Sequence, residues 1–217
     1  MLKKQGGVSA WNKWRFEHPD IVPDLREADL READLREADL RSANLIGANL
    51  YGADLNLATL REANLFKANL RRANLSRANL IGANLRGSNL HMADLREADL
   101  HGSTFGHTSM GDVNLNGVKG LETIGHLGPS SIGIDTIYRS KGKIPDVFLR
   151  GVGVPDNFIT YMKSLAGAPG AFEFYSCFIS YSSKDEAFAK CLYVDLQSKG
   201  VRCWFAPEDV KIGDRFR

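Results

Sequence analysis

The stretch ADLREADLREADL, Ala28–Leu40, repeats every five residues although it is built largely from residues that favour helices. An α-helix advances about 100° per residue, so leucines five apart step about 140° around the axis and no apolar face forms. A flat strand fails for another reason. Its side chains alternate with period two, and five is odd, so Leu30, Leu35 and Leu40 would point to alternating faces. Composition argues for a helix and spacing forbids one.

The period persists far beyond this stretch. Counted in fives from Leu25, Leu occupies every step to Leu100, followed by Phe105, Met110 and Leu115, which makes nineteen pentads in register. Ala stands two residues before each Leu from Ala28 to Ala98, with Ser88 the one departure, and the residue between is almost always Asp or Asn. The two residues after each Leu vary freely. One geometry satisfies this: a solenoid in which each pentad forms one side of a roughly square coil and twenty residues complete a turn. Leu and the preceding Ala then point inward, and the other three positions face solvent. At strand spacing of about 4.8 Å, nearly five coils stack into a rod on the order of 23 Å long.

The motif A(D/N)LXX resembles that of the pentapeptide-repeat family. The resemblance covers residues 21–119 and implies a right-handed quadrilateral β-helix. The fold expected of the whole chain is mainly β, in four parts. Residues 1–20 form an N-terminal helical cap, with Val8, Trp11 and Trp14 on one stripe stopped by Pro19. Residues 21–119 form the β-helix. Residues 120–170 are a connector with one strand over Ile132–Tyr138 and short helices near Pro145–Leu149 and Pro155–Leu165. Residues 171–217 open a separate α/β unit. The many stacked coils are expected to fold autonomously, and the small α/β piece only marginally.

Charge limits the function classes. The chain carries 28 Lys/Arg against 26 Asp/Glu, and residues 21–120 carry twelve against thirteen, without the concentrated basic charge of a nucleic-acid-binding domain. No apolar run is long enough to span a membrane, and the N-terminus MLKKQGGVSAWNKWRF lacks the apolar core of a signal peptide, so a cytoplasmic protein with no membrane partner is expected. The three cysteines, Cys177, Cys191 and Cys203, show no metal-ligand spacing and read as buried free thiols. The histidines suggest no metal site, and no Ser/His/Asp or Cys/His arrangement points to a catalytic residue.

From Tyr175 the pattern becomes βαβ. YSCFISY is a continuous apolar run suited to a buried parallel strand. SSKDEAFAKCLYVDLQSKG opens with a capping box, Ser183 and Glu186, shows apolar residues at Phe188, Cys191, Leu192 and Leu196, and stops at Gly200. VRCWFA is a second strand. CFISYSSKDE and GVRCWFAPEDVKIGDR resemble the first strand and loop, then the second strand and BB loop, of bacterial TIR (Toll/interleukin-1 receptor) domains. That implies the start of a flavodoxin-like α/β fold and contacts with other TIR domains through Pro207, Glu208, Asp209, Ile212, Gly213 and Asp214. Ile212 stands where many receptor members carry proline, which weakens any transfer of animal receptor partners.

Enzymatic TIR domains hydrolyse NAD⁺ with a glutamate on a later helix. Here the resemblance implies only first-loop groups, Ser182, Ser183 and Lys184, with Trp204 and Phe205 near the end of the second strand, as NAD⁺-facing residues. With no completed cleft, no NAD⁺ hydrolysis and no bound cofactor are expected of residues 1–217; NAD⁺ is a substrate only of a completed TIR domain. The leading expectation is a non-enzymatic interaction and signalling protein. The alternatives are a bacterial defence NAD⁺ hydrolase whose glutamate lies elsewhere and a duplex-mimicking topoisomerase inhibitor.

On a square coil, residues twenty apart stack, which sorts the outward positions. One side reads Arg26, Ile46, Phe66, Arg86; the next Arg31, Tyr51, Arg71, His91. Ile46 above Phe66 is an apolar pair at positions that do not need one, and reads either as scattered surface apolar residues or as a docking patch for an unidentified protein partner. The asparagines before each Leu read as structural ladders between coils.

Overall fold

The computed structural model describes residues 7–160, 177–179, 186–198 and 203–205, in two compact units, residues 1–166 and residues 167–217. In the first unit the five-residue period closes a coil every twenty residues. Asp24 pairs in parallel with Asn44, Asn44 with Asn64, Asn64 with Asn84 and Asn84 with Thr104, and three further columns run up the other sides. The Leu amides from Leu25 to Leu90 donate to the carbonyl nineteen residues ahead, as from Leu45 to Asn64 (2.8 Å) and Leu65 to Asn84 (2.8 Å). Leu35 through Leu85 and the alanines between them are almost wholly buried, so Leu and Ala face inward as the period requires.

At every corner from Leu25 to Leu100 the amide three residues on returns to the Leu carbonyl, as from Ala63 to Leu60 (3.0 Å). The second outward residue sits at this bend with positive φ, whether it is Gly52 (φ 65°), Glu62 (φ 58°) or Leu57 (φ 59°). A left-handed residue at the third position is what a type II turn demands. The position that looks free in the sequence is therefore constrained in its backbone.

A helix lies against the first coil. α1 (Gly7–Glu17) buries Trp11 and packs Val8 and Trp14 on the core. Asn12 accepts from the Asp39 amide (2.9 Å), Trp11 Nε1 donates to the Asp39 carbonyl (2.8 Å), and Arg15 donates to the Arg41 carbonyl (3.1 Å). These side chains supply what a preceding strand would otherwise supply to an open sheet edge.

At the other end the ladder continues past residue 119. β1 (Thr104–Phe105) pairs with β3 (Gly125–His126), and β2 (Ser109–Met110) with β4 (Ser131–Ile132), all in parallel. The strand expected over Ile132–Tyr138 is confined to β4, and α2 (Ile134–Arg139) takes the rest. The β-branched residues here favour a strand, but the edge of the last coil decides otherwise. Thr136 and Ser140, four apart on one helical face, accept from the Val113 (3.1 Å) and Leu115 (3.0 Å) amides, and Thr136 also donates to the Met110 carbonyl (2.9 Å). Satisfying buried backbone groups outweighs local propensity. α3 (Asp146–Val152) and helical residues 156–160 follow near the expected positions, burying Phe148, Leu149, Val152 and Ile159.

In the second unit β5 (Cys177–Ile179) and β6 (Cys203–Phe205) pair in parallel, Phe178 opposite Trp204, with α4 (Glu186–Ser198) between them in sequence. The α4 stripe differs from expectation. Ala189 is buried and Tyr193 and Leu196 half-buried, whereas Phe188 and Leu192 are exposed, as is Cys191, which is a free but not a buried thiol. Helical period alone does not choose between two neighbouring apolar stripes.

Candidate interaction surface

The interior of the solenoid is filled, so whatever the first unit does is done by its outward rows. Asp at the position before Leu and Arg at the position after form a two-pronged pair on the surface: Arg26 with Asp24 (2.7 Å), Arg31 with Asp29 (2.8 Å), Arg36 with Asp34 (2.6 Å), Arg41 with Asp39 (2.6 Å) and Arg96 with Asp94 (2.6 Å). The Arg36 guanidinium beside Asp34 holds its carboxyl down at about 2. The same carboxylate accepts from the Arg36 amide, so Asp also pins the start of the turn. Exposed pairs of this kind add little stability.

Where Asn replaces Asp, its Oδ1 accepts from the same amide, as Asn64 does from Phe66 (3.2 Å), and its Nδ2 reaches the coil below. Asn69 donates to Asn49 (3.1 Å) and Asn84 to Asn64 (3.0 Å). The asparagines form the structural ladder the sequence implies.

The rows of larger side chains stack as the twenty-residue count requires. Ile46 and Phe66 are half-buried, and cations cover the ring: Lys67 Nζ lies 5.2 Å from the Phe66 centroid and the Arg86 guanidinium 5.9 Å. On the next side Arg72 donates to the Tyr51 hydroxyl (3.1 Å), with its guanidinium 6.0 Å from the ring centroid. These contacts were missed in the sequence, although an aromatic residue followed or overlaid by Lys/Arg at intervals of one, twenty or twenty-one is their signal.

His126 packs edge-on between Phe105 and Phe148, with centroids 6.4 and 5.5 Å away, and its buried Nδ1 has no hydrogen-bond partner among the described residues. Burial lowers its pKa. The described residues contain no group of His, Cys, Asp and Glu able to hold a metal, and no helix among them is long and apolar enough to cross a membrane.

In the second unit Trp204 and Phe205 lie on β6. Ser182, Ser183, Lys184, Pro207, Glu208, Asp209, Ile212, Gly213 and Asp214 lie outside the described residues.

Comparison with known proteins matches both halves. The model for pentapeptide repeats matches residues 24–61, 63–102 and 78–117, and that for the TIR domain matches residues 177–217. Among solved structures, a trypsin-treated variant of QnrB1, described as a plasmid-mediated fluoroquinolone resistance protein, is 23% identical over 46% of this chain and 50% of its own, with a TM-score of 0.39. The chain thus spans half the length of that protein. The pentapeptide repeat protein alr5209 from Nostoc PCC 7120 is 33% identical over 52% of this chain and 84% of its own (TM-score 0.30). Rfr23 from the cyanobacterium Cyanothece 51142 is 36% identical over 46% and 63% (TM-score 0.26). No curated protein sequence matches the chain.

Proposed function

We propose that the chain, whose residues 24–61, 63–102 and 78–117 match pentapeptide repeats and whose residues 177–217 match a TIR domain, is a non-enzymatic scaffold for protein interaction and signalling built on a right-handed β-helix. The solenoid acts as a rigid spacer with binding rows on its outside, and residues 177–217 act as a TIR module that meets other TIR domains. The observation that carries this reading is the filled interior. Leu and Ala occupy the inward positions, Asp and Asn are engaged with turn amides, and the chemistry left to the solenoid is that of its surface. Within the TIR module the segment Pro207–Asp214 is the contact loop, and on the solenoid the Ile46–Phe66 pair, screened by Lys67 and Arg86, is a protein-facing patch.

The competing readings are an NAD⁺ hydrolase and a DNA mimic. Cleaving the nicotinamide riboside bond passes through a sugar cation that a carboxylate beside the ribose stabilises. Ser182, Ser183, Lys184, Trp204 and Phe205 supply no such carboxylate. A duplex mimic needs a strongly acidic rod, and the near balance of charge over residues 21–120 opposes one. Incubating the purified 217-residue chain with NAD⁺ and measuring released nicotinamide separates the first two. The scaffold reading expects none above buffer, and sustained release refutes it.

A further inference from the structure

The solenoid neutralises its arginines by a local rule, and the rule fails in the third and fourth coils. Where Asp precedes a Leu and Arg follows it, the carboxylate holds the guanidinium, as Asp24 holds Arg26, Asp34 holds Arg36 and Asp94 holds Arg96. Arg71 and Arg86 have Asn69 and Asn84 in that place. The Asn side-chain oxygen accepts from the Arg71 amide (3.3 Å) or the Arg86 amide (3.2 Å), the Asn nitrogen donates to the coil below, and no carboxylate stands beside the guanidinium. Among the described residues neither arginine makes an ion pair, and the buried Nε of Arg86 has no hydrogen-bond partner.

Two more cations join them. Lys67 and Arg86 lie on one corner of the solenoid in neighbouring coils, and Arg71 and Arg72 on the next corner. Lys67 lies over the Phe66 ring with its stem across Gly87, Cγ 3.2 Å from where a Cβ would stand, and Arg72 lies over Tyr51. A ring face and a neutral hydroxyl orient these cations without cancelling their charge. The two corners bound the side of the coil whose middle holds Asn69, so four positive charges surround a neutral amide. The neighbouring corners differ, since Arg77 is bound to Glu97 (3.0 Å) and Arg61 to Glu62 (3.1 Å).

We propose that this side of the third and fourth coils, bounded by Lys67, Arg71, Arg72 and Arg86, is a docking surface for an acidic, extended segment of a partner protein. Lys67 and Arg71 stand four residues apart along the side, at most about 14 Å. Acidic residues at alternate positions of an extended segment recur on one face about every 7 Å, so three of them span that side. A nucleic acid fits less well. A strand running along the rod would meet Glu27 and Glu32, which stand on the same two corners two coils away, about 10 Å. The Phe66 and Tyr51 rings on which bases would stack are already covered by the cations. The surface rests on the reading of the solenoid as a protein-binding scaffold and gives its partner a chemistry; failure of an acidic segment to bind leaves the nicotinamide test of that reading as it stands.

Fluorescence anisotropy of a labelled peptide of alternating Glu and Ser, titrated with the full chain at low and high ionic strength, tests it, with a peptide of alternating Gln and Ser and a single-stranded oligothymidylate as comparisons. The Glu peptide binds at low salt and is released at high salt, since exposed charges are screened over about 10 Å at 0.1 M, and the Gln peptide does not bind. R71Q/R86Q weakens binding of the Glu peptide about tenfold. R61Q/R96Q removes the same formal charge from arginines that already hold Glu62 and Asp94, and keeps the wild-type affinity within about twofold. Circular dichroism checks that both double variants keep the fold. A Glu peptide that does not bind, a Gln peptide that binds as well, the same affinity in the two double variants, or tighter binding of the oligothymidylate overturns the proposal.

Discussion

Trp11 donates from its indole nitrogen to the backbone carbonyl of Asp39 at 2.8 Å, placing a side chain of α1 where a neighbouring coil would otherwise supply an amide. A solenoid folds by stacking, and an unsealed end coil is its weakest point. Trp11→Ala is expected to cost about 3–5 kcal/mol, as large aromatic truncations in a core do. Trp11→Phe keeps most of the packing and loses the hydrogen bond, for about 1 kcal/mol. Urea denaturation gives the magnitudes, and hydrogen exchange places the loss in the first coil. Equal protection of that coil in wild type and Trp11→Ala would contradict the role given to α1.

Leu57 occupies a left-handed corner at φ 59° and is 46% exposed. A non-glycine residue there carries a steric cost of about 1–2 kcal/mol that glycine avoids, partly offset by the greater freedom of glycine in the unfolded chain. Leu57→Gly is therefore expected to stabilise by up to about 1 kcal/mol, and Leu57→Val, branched at Cβ, to destabilise. A raised urea midpoint for the first and a lowered one for the second is the expected pair. The reverse order would show that the corner is not strained.

Among the groups that shape the acid response, Asp24, Asp34, Asp39 and Asp94, each hydrogen-bonded to an Arg, and His126 all have depressed pKa values. Asp34 is held at about 2 by Arg36. Its contribution is present above its unfolded value near 4 and is lost as pH falls through about 2; as an exposed pair it is small. His126 is lowered by burial, so the folded state disfavours its proton. Its contribution is full above the unfolded value of about 6.5 and is lost as pH falls through the folded pKa. Melting temperature is thus expected to fall with pH in two stages. His126→Phe should flatten the upper stage, whereas Asp34→Asn removes one small contribution among several like it and should leave the lower stage nearly unchanged; an unchanged upper stage in His126→Phe would remove the histidine from the account.

Much of the solenoid was legible because its interior depends on one rule. A period of five admits a single closed geometry, and Leu, Ala and the Asp/Asn ladder all take their places from it. The corner conformation was also written in the sequence, at Gly47, Gly52, Gly82, Gly87 and Gly102, but Glu, Arg and Lys at the equivalent positions hid it. What the sequence concealed depends on partners far along the chain. α2 replaces the expected strand because Thr136 and Ser140 meet amides more than twenty residues away. Cys191 is exposed because two neighbouring stripes of α4 are both apolar, and period alone does not choose between them. The aromatic rows were placed correctly, whereas the cations over Phe66 and Tyr51 come from flexible side chains that no spacing rule orients.

Every surface assignment rests on residues twenty apart being neighbours and residues ten apart standing on opposite sides. Mild oxidation of two double variants, Leu57→Cys/Arg77→Cys and Leu57→Cys/Lys67→Cys, with the new disulfide identified by peptide mapping, tests this directly. Adjacent coils bring the first pair within the roughly 4.4–6.8 Å Cα separation that a disulfide accepts, so it is expected to close rapidly, and the second pair not at all. A disulfide between positions 57 and 67 forming as fast as that between 57 and 77 would contradict the four-sided coil.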